Sequence, residues 1–217
     1  FQDDFDRVGE VDWIVEAIIE KLDPKRELMQ RVEETAKEDA IISTNTSGIP
    51  LHEIAEERSD AFKKRFVGTH FFNPPRYLKL MEIIPTGDTD PEIVEAIRTF
   101  GERVLGKGGV IAKDTPNFIG NRIGTFAGMQ SARYAFENGY GVEEIDAITG
   151  PLIGHPKTAT FRLNDQVGLD IAVGVAENLY EAVPEDDSRE ELRPPEILEE
   201  MQQRGLLGNK TGGGFYK

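Results

Sequence analysis

The sequence predicts an α/β protein in two parts: a largely parallel sheet flanked by helices, followed by an all-α region. Two observations carry this. Short apolar runs alternate with amphipathic stretches over residues 11–113. Strand–helix alternation of this kind forces successive strands to run parallel under a cover of helices. After Lys113-Asp114-Thr115-Pro116 the apolar spacing becomes helical, and no convincing strand appears before the terminal Gly212-Gly213-Gly214-Phe215-Tyr216-Lys217. A domain boundary is therefore expected near Lys113, giving parts 1–113 and 114–217.

The elements follow in order. Residues 11–17, Val-Asp-Trp-Ile-Val-Glu-Ala, read as a buried strand. Asp23-Pro24 starts a helix to about residue 37, since proline is tolerated in a first turn, with Leu28, Val32 and Ala36 on one face. Residues 40–44 form a second strand and 50–57 a short helix. Residues 66–70 and 80–84 are strands, Asp90-Pro91 opens a helix to about 105, and 109–112 is one more strand. Beyond the boundary, helices are expected at 118–138, 142–148, 165–182 and 195–204. Gly139 is placed like a C-cap.

Composition narrows the function. The chain has 217 residues, 38% hydrophobic and 30% charged, which fits a globular protein with a real core. No run of about 18 apolar residues exists, so no membrane span is expected. With no cysteine, disulfides, thiolate catalysis and cysteine metal sites are excluded, and a cytoplasmic location is expected. Three scattered histidines without ligand spacing give no metal site. A net charge of -15 argues against binding nucleic acid, because phosphate would be repelled.

Chemistry concentrates at one place. The run Arg65-Phe66-Val67-Gly68-Thr69-His70-Phe71-Phe72-Asn73-Pro74 ends an apolar strand at a histidine. Leu80-Met81-Glu82-Ile83-Ile84 then carries one carboxylate among apolar neighbours. A His–Glu pair is what general acid–base catalysis needs: the imidazole exchanges a proton near neutral pH, and the carboxylate fixes its tautomer and supports its cation. A lone strand histidine is more commonly a satisfied structural residue, so this stretch alone does not decide. A dinucleotide-binding sheet opens with strand, GxGxxG, helix, and this sequence has none. Gly106-Lys107-Gly108-Gly109 precedes a strand, and Gly212-Gly213-Gly214 has no helix after it.

Six motifs taken together resemble the 3-hydroxyacyl-CoA dehydrogenase family. They are Val15-Glu16-Ala17-Ile18-Ile19-Glu20, Asn45-Thr46-Ser47, His70-Phe71-Phe72-Asn73-Pro74, Lys113-Asp114-Thr115-Pro116-Asn117-Phe118-Ile119-Gly120-Asn121-Arg122, Asp165-Gln166-Val167-Gly168-Leu169-Asp170 and Lys210-Thr211-Gly212-Gly213-Gly214-Phe215-Tyr216-Lys217. The resemblance implies an incomplete Rossmann NAD-binding domain over 1–113, lacking its first βαβ portion, and a helical substrate and dimerisation domain over 114–217. It implies a chain whose phosphate-binding turn is absent and which acts weakly or not at all alone. The stretch Gly154-His155-Pro156-Lys157-Thr158-Ala159-Thr160-Phe161 is similar to dehydrogenase modules fused to an enoyl-CoA hydratase, so a fused or associated hydratase is an expected partner.

The reaction implied is reversible oxidation of the 3-hydroxyl of an (S)-3-hydroxyacyl-CoA by NAD, in fatty-acid β-oxidation. By resemblance His70 is the general base, Glu82 its partner, Ser47 a hydrogen-bond donor to the substrate oxygen, and Asn121 a donor to the substrate carbonyl. Glu20, Lys25, Ser47 and Asn73 are implied cofactor contacts, with Lys210 a weaker one. Plainer readings stand beside these. Glu20 and Lys25 can be a surface pair at a helix start, Asn73-Pro74 a turn, and Asn121 a helix-capping residue. His52 and His155 match no catalytic position. Two other functions remain open: a dehydrogenase of non-CoA hydroxy acids, and a non-catalytic dimerisation module.

Overall fold

The computed structural model describes residues 4–216. The chain divides into two compact units, Phe1–Ile119 and Gly120–Lys217, so the division falls a few residues beyond the expected 113. In the first unit, strands β1 (Trp13–Glu16), β2 (Ile41–Thr44), β3 (Phe66–Phe71), β4 (Leu80–Pro85) and β5 (Gly108–Ile111) form one sheet in chain order. β1 pairs β2, β2 pairs β3 and β4 pairs β5 in parallel, while β3 and β4 are antiparallel. The sheet is thus largely parallel, as expected. Its one reversal follows from the absence of a crossover helix between β3 and β4.

Helix α1 (Leu22–Thr35) links β1 to β2, α2 (Leu51–Ile54) and α3 (Asp60–Arg65) lie between β2 and β3, and α4 (Pro91–Arg103) links β4 to β5. The alternation of strand side chains sorts the core into two faces. Phe66 and Ile84 pack with Met29, Val32, Leu51, Ile54 and Phe62 on one. Val67, Met81 and Ile83 pack with Ile97, Ile93 and Val94 of α4 on the other. α4 is capped as the sequence indicates: Pro91 stands in its first turn and the Asp90 carboxylate accepts from Glu92 N at 3.0 Å.

Several expectations need correction. Helix α1 begins at Leu22 and ends at Thr35, and its buried face includes Lys25 beside Met29 and Val32. Apolar periodicity cannot register a lysine on a buried face. Helix α3 was not expected at all. It is a single capped turn, with Ser59 Oγ accepting from Phe62 N, and it runs straight into β3. The expected helix over 165–182 is two, α7 (Phe161–Val167) and α8 (Leu169–Ala182), because Gly168 sits at φ 104. That left-handed backbone is open to glycine at little cost.

The second unit is all-helical: α5 (Gly120–Glu137), α6 (Val142–Thr149), α7, α8 and α9 (Glu196–Gln203). Its core gathers Met129, Ala132, Ile145, Phe161, Leu169, Val173 and Leu198. The buried Asp165 accepts from the amides of Phe215 at 2.9 Å and Tyr216 at 2.8 Å. A Cβ on Gly208 would collide with the Asp165 carbonyl oxygen, and one on Gly214 with the Asp165 Oδ1. The two distant glycine and aspartate motifs are therefore one structural feature, a tail stapled to α7. No helix among the described residues is long and apolar enough to cross a membrane.

Candidate active site

Because β1, β2 and β3 run parallel, their carboxyl ends share one edge of the sheet, and the loops leaving them carry Glu20, Ser47 and Asn73. The antiparallel register of β3 and β4 sets His70 directly opposite Glu82. Cross-strand partners project to the same face, so the two side chains meet, Nδ1 to Oε2 at 2.7 Å. Both are buried, His70 at 3% and Glu82 at 0% exposure. The second Glu82 oxygen, Oε1, accepts from Ile119 N at 3.0 Å. The imidazole lies against the rings of Phe72 and Phe118, with centroids 4.5 and 5.8 Å away. With the Nδ1 proton directed to a carboxylate, Nε2 is the nitrogen that can take a proton from a bound hydroxyl.

Ser47 stands on the loop after β2, and Glu20 organises that loop. Glu20 Oε1 accepts from Ser47 N at 2.8 Å, from Gly48 N at 3.0 Å and from the Thr46 hydroxyl. Burial pushes the Glu20 carboxyl up, but the Thr46 hydroxyl, the Lys25 ammonium and the two amides outweigh it and hold it below its ordinary value. Lys25, 1% exposed, is no surface residue. Its Nζ reaches Glu16 Oε1 at 2.8 Å and Oε2 at 3.0 Å, and Glu20 Oε2 at 3.3 Å. One cation thus lies between two carboxylates, and the plain surface-pair reading fails.

Asn73 is exposed, and its peptide bond to Pro74 is cis. Asn121 lies in the first turn of α5 and Lys210 near the tail, both in the second unit. Lys210 forms an ion pair with Asp170. The structure therefore brings together His70 with Glu82, and Ser47 with Glu20 and Lys25.

Residue types alone did not reveal four supports. Glu16, at the end of β1, also accepts from Ile18 N at 2.6 Å and from the Thr44 hydroxyl. Asn45 Oδ1 accepts from Phe71 N at 3.0 Å, next to His70. Asp114 accepts from the amides of Leu51 and His52 at 2.6 and 2.9 Å. Asn117 lies against Gly48. A single acidic residue at a strand's end is the only signal that could have marked Glu16.

Comparison with known proteins identifies the family of the chain. Residues 1–115 match the 3-hydroxyacyl-CoA dehydrogenase, NAD binding domain, and residues 118–217 match the 3-hydroxyacyl-CoA dehydrogenase, C-terminal domain. The chain is 51% identical over its whole length to a probable 3-hydroxyacyl-CoA dehydrogenase of Bacillus subtilis, of which it covers 27%. It is 38% identical over 99% of its length to a putative fatty acid oxidation complex trifunctional enzyme of Rickettsia felis, of which it covers 30%. It thus spans about a third or less of either relative. Among solved structures, the (S)-3-hydroxybutyryl-CoA dehydrogenase of Ralstonia eutropha aligns with a TM-score of 0.87 at 32% identity, covering 98% of this chain and 72% of that one.

Proposed function

Because the chain belongs to the 3-hydroxyacyl-CoA dehydrogenase family, we propose that it serves the NAD-dependent, reversible oxidation of (S)-3-hydroxyacyl-CoA to 3-ketoacyl-CoA in fatty-acid β-oxidation. The buried His70–Glu82 pair carries this reading. Oxidation of a secondary alcohol removes a hydride from carbon and a proton from oxygen. His70 Nε2 takes the proton, and Glu82 holds the imidazole in the right tautomer and stabilises the cation formed. The Ser47 hydroxyl hydrogen-bonds the substrate oxygen. Asn121 donates to the substrate carbonyl as charge develops there.

When bound, NAD supplies the hydride acceptor. The residues fit it: doubly wound sheets bind nucleotides at the carboxyl ends of parallel strands, where Ser47, Gly48 and the exposed Asn73 carboxamide stand. Glu20 and Ser47 flank that position, and Lys25 acts on it through Glu20, since its ammonium is already held by two carboxylates. Lys210 has the weaker claim because Asp170 holds it. Cofactor affinity of the 217-residue chain alone is expected to be low. Gly106 and Lys107 lead into β5, which itself begins with Gly108 and Gly109, and not into a helix, and each charge-assisted phosphate contact not made costs about 1.5–3 kcal/mol. Titration calorimetry showing micromolar NAD binding would refute this.

A homodimer through the helical unit, a fused or associated hydratase and a cytoplasmic location belong to the same reading. Exposed Ile148, Leu152, Ile153, Leu163 and Ile171 support the first, and the likeness to the Rickettsia trifunctional enzyme supports the second. The test is NADH oxidation at millimolar NADH with acetoacetyl-CoA or with free acetoacetate. Turnover of the thioester alone is expected. Turnover of acetoacetate alone would point to a non-CoA dehydrogenase and contradict the proposal.

A further inference from the structure

Three consecutive residues touch three different groups of the site. The Asn117 carboxamide lies against the bare Cα of Gly48, next to Ser47: a Cβ placed on Gly48 would come 2.8 Å from Asn117 Oδ1. The Phe118 ring packs on His70 at 5.8 Å. Ile119 N donates to Glu82 Oε1 at 3.0 Å. The backbone that allows this is unusual, with Asn117 at φ 58 and Phe118 at φ 48. Asparagine tolerates the left-handed region, but for phenylalanine it is strained. Such strain persists only where the surroundings over-determine it, and it collects at functional sites. Here the surroundings are evident. Asn117 and Phe118 are 7% and 3% exposed, Phe118 N donates to Thr115 O at 3.1 Å, and Asp114 anchors the segment to Leu51 and His52.

We propose that the left-handed turn Asn117–Phe118 is a positioning element that holds the Ser47 loop and the His70–Glu82 pair in one arrangement, with Asn117 acting through Gly48. This rests on reading Ser47, His70 and Glu82 as the reacting groups. Without the turn, the Ser47 loop and Glu82 would lose the segment that touches both. The chain direction matters: a displacement of Asn117 is transmitted within two residues to the Ile119 amide, and from there through Glu82 to the histidine ring.

The test is a double-mutant cycle read by NMR on the full 217-residue chain. The signals are the His70 Nδ1 proton, which donates to Glu82, and the amides of Ser47, Gly48 and Ile119. Gly48→Ala places a methyl against Asn117 Oδ1. It should shift the Ile119 amide and the His70 Nδ1 proton, although Gly48 touches neither. In an Asn117→Gly background, where glycine keeps the left-handed turn but lacks the carboxamide, adding Gly48→Ala should no longer shift them. Persistence of the shift in that background would overturn the proposal, as would a Gly48→Ala effect confined to Ser47 and Gly48. If Gly48→Ala alone does not fold, recovery of the fold on adding Asn117→Gly is the same rescue, and failure to recover contradicts the turn's role. The readout needs no turnover, so a chain that shows the rescue but turns over acetoacetate alone would sink the proposed reaction and leave the positioning role standing.

Discussion

A carboxylate with no exposure is costly unless its charge is met by donors, and Glu82 meets that condition through His70 and Ile119. It was legible in the sequence as a lone acid in an apolar strand, but the antiparallel pairing that sets it opposite His70 was not, nor was its second donor, because Ile119 lies far along the chain. Glu82→Gln keeps the volume and loses the charge that supports the imidazolium, so kcat for acetoacetyl-CoA reduction should fall about a hundredfold or more at little change in KM. Glu20 gives a pH dependence. Its folded value is held below the ordinary 4.5, so its contribution is complete above the unfolded value and disappears as pH falls through the lowered one. The difference in urea midpoint between the native chain and Glu20→Gln should therefore be full above the ordinary carboxylate value and shrink as pH falls below it. A difference that grows in acid would contradict the clamp on the Ser47 loop.

Among the elements, α1 shows where apolar periodicity stops informing. The spacing of Leu28, Val32 and Ala36 correctly marks a helix, yet the buried face also holds Lys25, which is there to pair Glu16 and Glu20 across to β1 and its loop. Breaking a buried pair by removing one partner leaves an uncompensated charge, so Lys25→Met should destabilise the first unit by about 3–5 kcal/mol in urea unfolding. The fold of the second unit depends on a different device. Gly208, at φ 95, lets the tail approach Asp165, and alanine there is both strained and too close. Gly208→Ala should cost more than about 1 kcal/mol, and protection of the Phe215 and Tyr216 amides from hydrogen exchange should drop with it. The terminal glycine run was visible in the sequence, whereas its partner, fifty residues earlier by the Asp165–Phe215 bond, was not.

At the scale of the whole molecule, the strand–helix alternation and its later loss were enough to read an α/β unit followed by a helical one. The antiparallel β3–β4 step, helix α3 and the break at Gly168 escaped because each depends on a single turn whose conformation is set by tertiary context. The site divides the same way: the reacting groups have recognisable types, while Asn45, Asp114 and Asn117 act through backbone contacts, and Glu16 through a buried lysine and threonine, that no residue type announces. The apolar side chains exposed on the helical unit predict self-association, and light scattering should give a dimer mass that Leu152→Asp reduces to the monomer. The most direct measurement is acetoacetyl-CoA-dependent NADH oxidation at millimolar NADH by the native chain and by His70→Gln. Proton transfer through His70 predicts a fall in kcat of about 10²–10⁴-fold with KM for the thioester little changed. A His70→Gln chain that turns over at the native rate would contradict the assignment of His70 as the base.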